Sequence, residues 1–308
     1  MQAFANIGDG QGRICVVSLN PAVDCEWTTT AIVPGEKNEL ASERRWPGGK
    51  GINVARWLRW GGRESRLVLP LGGATGREIA AALRAEKVSF RSVPIRQPTR
   101  VNVVVTPDTG LQLRFNPSWP VVSAAELTRL LAEARRVWRG CSAVVLTGSL
   151  VRGAPVDPYA RMVRAAHGDG LPVALDCDGE SFRRAALLKP DLVKPNEWEL
   201  AQWAGRGLSD ESEVLAAARA LAKVTCGWVV VSRGASGVVA VDGGSGGELA
   251  LPAVPVRCVR NTLGAGDALL AGLLSAPAGS SSRQWMGHAL KSAAAAVRLA
   301  PGVLPRLR

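Results

Sequence analysis

Six short runs of almost unbroken apolar residues, with helical periodicity in most of the intervals between them, constrain this chain more than any other feature. The runs are ICVVSL (14–19), RLVLPL (66–71), SAVVLT (142–147), LPVALD (171–176), DLVKP (191–195) and WVVVS (228–232). The helix-like segments are 52–60, 77–86, 124–139, 158–166, 197–205, 213–224 and 284–300. A strand that is apolar at every position has both faces buried, and helices between such strands supply the crossovers that parallel pairing requires. The expected fold is therefore α/β, a mostly parallel sheet doubly wound with helices on both faces.

Two stretches break the rhythm, residues 24–46 and 88–116. Both are Thr/Val-rich and alternating, neither contains a plausible helix, and the second carries the turn signal PDTG at 107–110. They predict a small antiparallel β element, built from two insertions, that covers the carboxyl edge of the main sheet. On this reading residues 1–308 form one domain with a lid. DGGSGGE (242–248) and APAGSSS (276–282) read as loops.

Composition narrows the classes. The net charge is +12 and the pI about 10.2, which prompts a nucleic-acid reading. Only seven of the 38 basic residues are lysine, however, and the arginines are scattered as singles and pairs without a tail or block. Of the ten tryptophans, Trp57, Trp60, Trp138 and Trp203 fall in helix-like segments and are expected to pack. No nucleic-acid partner is expected. No apolar run reaches about 18 residues, so no membrane span is expected. The opening MQAFANIGDGQGR has neither the basic start nor the apolar stretch of a secretory signal. Six cysteines without CxxC spacing and only two histidines make a structural zinc site improbable and fit a cytoplasmic protein.

Four segments concentrate chemistry. In NTLGAGDALLAGLL (261–274) a Gly-Ala-Gly turn runs into an apolar helix at Asp267. The exposed amides and helix dipole of such a junction suit an anion. Asp267 there is either a helix cap or a base beside the bound anion. In WPGGKGINVARW (46–57) glycines surround Lys50 before a helix that carries Asn53. It is not a P-loop, because Gly51 stands where a hydroxyl should hold magnesium. SLNPAVD (18–24) puts Asp24 just past a first strand, suited to sugar hydroxyls or to a turn. In VKPNEWEL (193–200) Asn196 and Glu199 share a helix face, as water-mediated magnesium ligands or as a reciprocal cap. Arg100 and Arg114, on the second β-like insert, have the fork geometry for a phosphate.

Taken in order, SLNPAVD, GGKGINVAR, TRVNV, TGSL, KPNEWEL, SRGASG and LGAGD closely resemble the ribokinase-like sugar kinases of the phosphofructokinase-B family, from about residue 14 to about 304. NPAVD and GGKGINVAR look most like the branch that contains 1-phosphofructokinase, tagatose-6-phosphate kinase and the minor 6-phosphofructokinase. The resemblance implies a three-layer α/β/α fold with a β-sheet lid, and phosphoryl transfer from ATP with Mg2+ to a sugar-phosphate hydroxyl. Asp267 inherits the role of base, and the amides of Gly264, Ala265 and Gly266 that of anion hole. Asn196 and Glu199 inherit magnesium through water. Asp24, Gly48, Gly49, Lys50 and Asn53 would hold the sugar, while Arg100, Arg114 and Ser149 meet its existing phosphate. Lys194, Asn196, Ser232, Gly234 and Asn261 fall where the nucleotide usually lies.

The resemblance also implies a choice of partners. Fructose 1-phosphate is the expected acceptor. Fructose 6-phosphate, tagatose 6-phosphate, an unphosphorylated sugar or a nucleoside are the alternatives, as is a non-catalytic binder. Lid sheets in the family often pair into homodimers. Departures from the family pattern are Glu39, with Lys37, where an arginine is usual, Val151 after TGSL, LDCDGE (175–180), and Asn261 at a usual serine.

Overall fold

The computed structural model describes residues 12–110, 112–155 and 157–304. The ends of the expected 1–308 domain, and most of the opening segment read for a signal, lie outside them.

The main sheet contains β1 (Ile14–Ser18), β4 (Ser65–Leu71), β5 (Phe90–Pro94), β8 (Ala143–Thr147), β9 (Val173–Asp176), β10 (Leu192–Val193), β11 (Trp228–Ser232), β12 (Val238–Asp242) and β13 (Glu248–Leu251). Their spatial order is β13-β12-β11-β10-β9-β8-β1-β4-β5. All neighbours pair in parallel except β11–β12 and β12–β13. Strand β1 shows why the runs are continuously apolar. Ile14 and Val16 enter one core while Cys15 and Val17 enter the other.

One face is covered by α1 (Lys50–Trp60), α2 (Gly73–Ala85), α8 (Ala265–Leu274) and α9 (Ser282–Val297). The other carries α3 (Ala124–Trp138), α4 (Pro158–Gly168), α5 (Gly179–Ala186), α6 (Glu197–Ala204) and α7 (Glu211–Thr225). Trp57 and Trp138 are buried in these two cores, and Trp60 and Trp203 pack against them. Burying a Leu- or Val-sized side chain contributes roughly 1.5–3 kcal/mol, so the two apolar layers dominate the fold's stability.

A separate four-stranded sheet has the order β3-β2-β6-β7, from β2 (Ala22–Thr29), β3 (Ser42–Gly48), β6 (Arg100–Pro107) and β7 (Leu113–Phe115). It is mixed, because β2 and β6 run parallel while the outer pairs are antiparallel. The purely antiparallel expectation is corrected here. The stretch 88–116 also divides. Phe90–Pro94 joins the main sheet beside β4, and only the later strands join the smaller one. As an edge strand β5 leaves Arg91 and Ser92 exposed and buries Val93, so it lacks the unbroken apolar run of the inner strands. Helix α5 and the β12–β13 hairpin are additions to the expected elements. The last helix ends at 297 rather than 300.

The chain winds from β1 outward through β4 and β5, then returns to β8 on the other side of β1. This reversal at β1/β8 opens a crevice at the carboxyl ends of the strands. The segments after β1, β8, β9, β10 and β11 all end there.

Candidate active site

Helix α8 starts after Gly264, whose φ of 78° and ψ of 1° place it in the left-handed region that glycine adopts readily. The first-turn amides of a helix have no acceptor within it; here the Ala265 amide reaches back to the Thr262 carbonyl at 3.3 Å, and Ala268 is the first to bond within the turn, to the Gly264 carbonyl at 2.9 Å. Asp267 does not cap this helix. Gly264 is the N-cap residue, and no side chain caps. Instead Oδ2 of Asp267 accepts a hydrogen bond of 2.8 Å from Nδ2 of Asn53. The carboxyl group is 6% exposed. Burial raises its pKa to about 6; the Asp176 carboxylate adds to the rise, and Lys50, Asn53 and Lys194 oppose it.

Lys50, in the first turn of α1, points Nζ at Oδ1 of Asp176 (2.9 Å) and at Oε1 of Glu199 (3.1 Å). Burial opposes its charge, but the carboxylates of Asp176, Glu199 and Asp267 outweigh it and hold the ammonium well above the usual lysine pKa. Asp176 is the hub. Its Oδ2 lies 3.4 Å from Nζ of Lys194. Burial alone would raise its pKa, yet the ammoniums of Lys194 and Lys50 keep it below the usual carboxylate range. Lys194 is itself buried, and a Cβ on Gly266 would sit 3.4 Å from its Nζ. The bare glycine lets this ammonium approach the start of α8.

Asn196 and Glu199 form a reciprocal cap. Oδ1 of Asn196 accepts from the Glu199 amide (2.7 Å), and Oε2 of Glu199 accepts from the Asn196 amide (2.8 Å). This commits the Asn196 oxygen to the helix end and leaves Oε1 of Glu199 toward Lys50. Asn196, Glu199 and Asp176 all line the cavity, so the cap and a water-mediated magnesium role for the expected Asn196–Glu199 pair are compatible. Among the described residues no three or more His, Cys, Asp or Glu side chains cluster as a metal cage. Two carboxylates fit a magnesium ion whose remaining ligands are water and phosphate.

These groups form one end of a cavity of about 820 Å3, within the range of small-molecule sites. Ser232, Gly234 and Thr262 also line it, and Val238, Val254, Val256, Val259, Leu290 and Val297 give it apolar wall.

A second group surrounds Asn20, between β1 and β2. Asp24 and Asn102 are directly paired on β2 and β6, and Nδ2 of Asn102 donates to Oδ1 of Asp24 at 2.8 Å. Burial raises the Asp24 pKa; the Asn102 hydrogen bond and the guanidiniums of Arg100 and Arg56 oppose it. Gly48 is required by the carboxylate itself, since a Cβ there would lie 2.1 Å from Oδ2 of Asp24. A Cβ on Gly49 would come within 3.4 Å of the Asn20 carbonyl. That carbonyl accepts from Arg100 (3.3 Å), and Nδ2 of Asn20 donates to Oγ of Ser149 (3.2 Å). The TGSL turn is braced from below by the Tyr159 hydroxyl, which donates to the Thr147 and Gly148 carbonyls. A narrow cleft is lined by Asp24, Trp46, Asn53, Arg56 and Gly264, and Asn53 is the residue bonded to Asp267.

Two expected residues are not brought in. Arg114 is exposed on β7 and donates to Oε1 of Gln112 (3.3 Å). Asn261 closes a turn on Leu263 and faces the narrow cleft instead of the large cavity. Asp176, Asn20 and Asn102 are additions to the expected set. Asp176 carries a usable signal, an acid at the carboxyl end of a buried parallel run. Asn102 carries none beyond its alternation with Arg100.

The family model described as pfkB family carbohydrate kinase matches residues 12–302. A 1-phosphofructokinase of Rhodobacter capsulatus is 37% identical over 272 residues, 86% of this chain and 83% of that protein. An ATP-dependent 6-phosphofructokinase isozyme 2 of Mycobacterium tuberculosis is 33% identical over 274 residues, 86% of this chain and 78% of that one. Phosphofructokinase-2 from Escherichia coli in complex with fructose-6-phosphate superposes with a TM-score of 0.85 at 28% identity, over 95% of this chain and 96% of that one.

Proposed function

The chain belongs to the pfkB family of carbohydrate kinases, and from that premise we propose that it transfers the γ-phosphoryl group of ATP to a hydroxyl of fructose 1-phosphate. The observation that carries this reading is Asp267: a buried carboxyl with its pKa raised to about 6, fixed by Asn53, at the mouth of a helix start. A base poised near neutrality and an anion site share one turn of chain.

The sugar phosphate enters beneath the smaller sheet, which acts as the lid. Asp24 accepts sugar hydroxyls, and Arg100 pairs with the phosphate already present. The nucleotide lies along the large cavity, its base against the apolar wall and its phosphates at Lys50, Lys194 and the α8 amides. Glu199 and Asp176 are the residues that would hold magnesium through water, and the ion when bound would supply neutralisation of phosphate charge. The acceptor oxygen approaches the γ-phosphorus as Asp267 takes its proton. The new O–P bond forms while the bond to the bridging oxygen of ADP breaks. The amides of Gly264–Asp267 and the two ammoniums meet the charge on the phosphoryl oxygens. Lid closure excludes water from the competing attack. With these two proposed substrates, a cytoplasmic location is part of the same reading.

A 6-phosphofructokinase reading is favoured by the Mycobacterium tuberculosis and Escherichia coli relatives. It uses the same groups with the sugar reversed. ADP release measured over fructose 1-phosphate, fructose 6-phosphate, tagatose 6-phosphate and fructose decides between them. Fructose 1-phosphate should give the highest kcat/KM. ATP turnover indifferent to every sugar phosphate would overturn the kinase assignment.

The outer face of the lid supports a homodimer. In register, Trp27 with Val105 and Leu113, and Val103 with Phe115, line one apolar surface. Phe115 is 55% exposed and Leu113 39%. A second copy of this chain covers that surface in our reading.

A further inference from the structure

The net charge of +12 is mostly spread over the surface, but part of it converges. Between β13 and α8 the chain runs through 252–262 without helix or strand. The side chains of this loop divide between two hollows. Val254 and Val259 line the large cavity, whereas Arg257, Cys258 and Arg260 line a separate hollow of about 450 Å3. Pro255 and Val256 border both. Arg298, the residue at the end of α9, completes the lining of the second hollow. The loop is fastened to that helix end. The Arg260 amide donates to the Val297 carbonyl (2.8 Å), and Nη2 of Arg298 donates to the Pro255 carbonyl (3.3 Å).

No carboxylate lines this hollow, and among the described residues Arg257 and Arg260 have no ion pair. Arginines on other faces do have one, as Arg135 has with Asp169 and Arg219 with Glu248. Three guanidiniums around one hollow repel one another and raise a positive potential that a bound anion relieves. Each presents a fork that takes a phosphate or a carboxylate through two bonds. The volume is that of a small-molecule site.

We propose that the hollow at Arg257, Arg260 and Arg298 is a second anion site, for a small molecule carrying several phosphate or carboxylate charges, and that its occupancy strengthens ATP binding. The coupling follows from the shared wall. An anion drawn between the arginines holds the loop against α9, and the same loop gives the nucleotide cavity Val256 and Val259. Linkage is reciprocal, so ATP should strengthen anion binding by the same factor. The anion site stands on the geometry alone; its link to ATP rests on the kinase reading above.

Cys258 reports occupancy directly, because it is exposed in the hollow, while Cys226 is exposed outside it at the end of α7. Iodoacetamide labelling of both thiols is followed by peptide mass spectrometry, with pyrophosphate, citrate or sodium chloride at matched ionic strength. Pyrophosphate or citrate should slow Cys258 saturably, about tenfold when the probe stands at about ten times its Kd, and leave Cys226 unchanged. With the probe present and free magnesium fixed, the Kd for ATP should fall about fivefold by equilibrium binding. Arg257→Ala with Arg260→Ala, both exposed, should abolish both effects. Arg161→Ala with Arg164→Ala, which removes the same charge from an exposed face of α4, should keep them. A Cys258 that neither anion protects, or that both double variants protect equally, overturns the site. A Kd for ATP that the probe leaves unchanged, or raises in every variant by competing in the nucleotide cavity, overturns the coupling. Protection of Cys258 in a protein that binds no ATP overturns the kinase reading and leaves the anion site standing.

Discussion

Nδ2 of Asn53 donates across 2.8 Å to Oδ2 of Asp267, a residue 214 positions later in the chain. The bond joins the first helix to the start of the eighth and points one carboxylate oxygen away from the cap position. It keeps Asp267 out of the capping role its place in sequence permits, as the proposed role of base requires.

Asp267→Asn removes the proton acceptor while keeping shape and the Asn53 contact. A general base contributes roughly 10²–10⁴ in rate, so kcat should fall by that factor with folding intact. Steady-state kinetics beside a circular dichroism spectrum checks this; near-normal turnover sinks the assignment.

The same carboxyl sets a pH profile. With a pKa of about 6, raised first by burial and then by Asp176, the base is ionised above that pH and protonated below it. kcat/KM should rise through about pH 6 and level off, and a flat profile between pH 5 and 7 would speak against it. Its raised folded-state pKa favours the native state at low pH, and that contribution is lost as pH rises from 3.8 through about 6. Asp267→Asn should therefore be more stable than the parent at pH 7, by on the order of 2–3 kcal/mol, read as a higher Tm.

Lys50→Met should unbalance the hub. Asp176 is 1% exposed and loses its 2.9 Å partner. Removing one member of a buried ion pair costs about 3–5 kcal/mol, and partial exposure of the lysine favours the lower figure. Urea denaturation should show it at pH 7, and acid that protonates the carboxylates should narrow the gap.

Gly48→Ala tests the Asp24 contact. The added methyl would meet Oδ2 of Asp24 at 2.1 Å, so the carboxylate must turn. The KM for the sugar phosphate should rise by at least about tenfold, the cost of one misplaced polar contact, while the KM for ATP stays within about twofold. Equal losses on both substrates would place the damage elsewhere.

Phe115→Asp puts a charge on the apolar outer face of the lid. Light scattering should give a dimer for the parent and a monomer for the variant. A parent that is monomeric at micromolar concentration removes the second copy from that surface.

How far the site is legible in sequence follows from how its residues are specified. Gly264–Asp267 is legible because one contiguous turn carries the amides, the dipole and the carboxylate together. Asn196 and Glu199 are legible as a pair but ambiguous in role, and the reciprocal cap shows that the structural role is filled. Asp176 is marked in sequence only as an acid at the carboxyl end of a buried parallel run, and its role as a hub is set by Lys50 and Lys194, which reach it from separate elements. Arg114 has the right residue type on the right sheet, yet its strand carries it out to Gln112.

The sequence by itself determined the parallel layers, because strands buried on both faces must be apolar throughout and helices must join them. It also determined the glycine turn that opens the helix carrying Asp267. Only the tertiary structure decided which charges meet. Strand reversal at β1/β8 gathers the ends of five strands into one crevice, and the parallel pairing of β2 with β6 sets Asn102 beside Asp24. Local periodicity encodes burial, whereas the pairing of distant carboxylates, ammoniums and amides is fixed by topology and register.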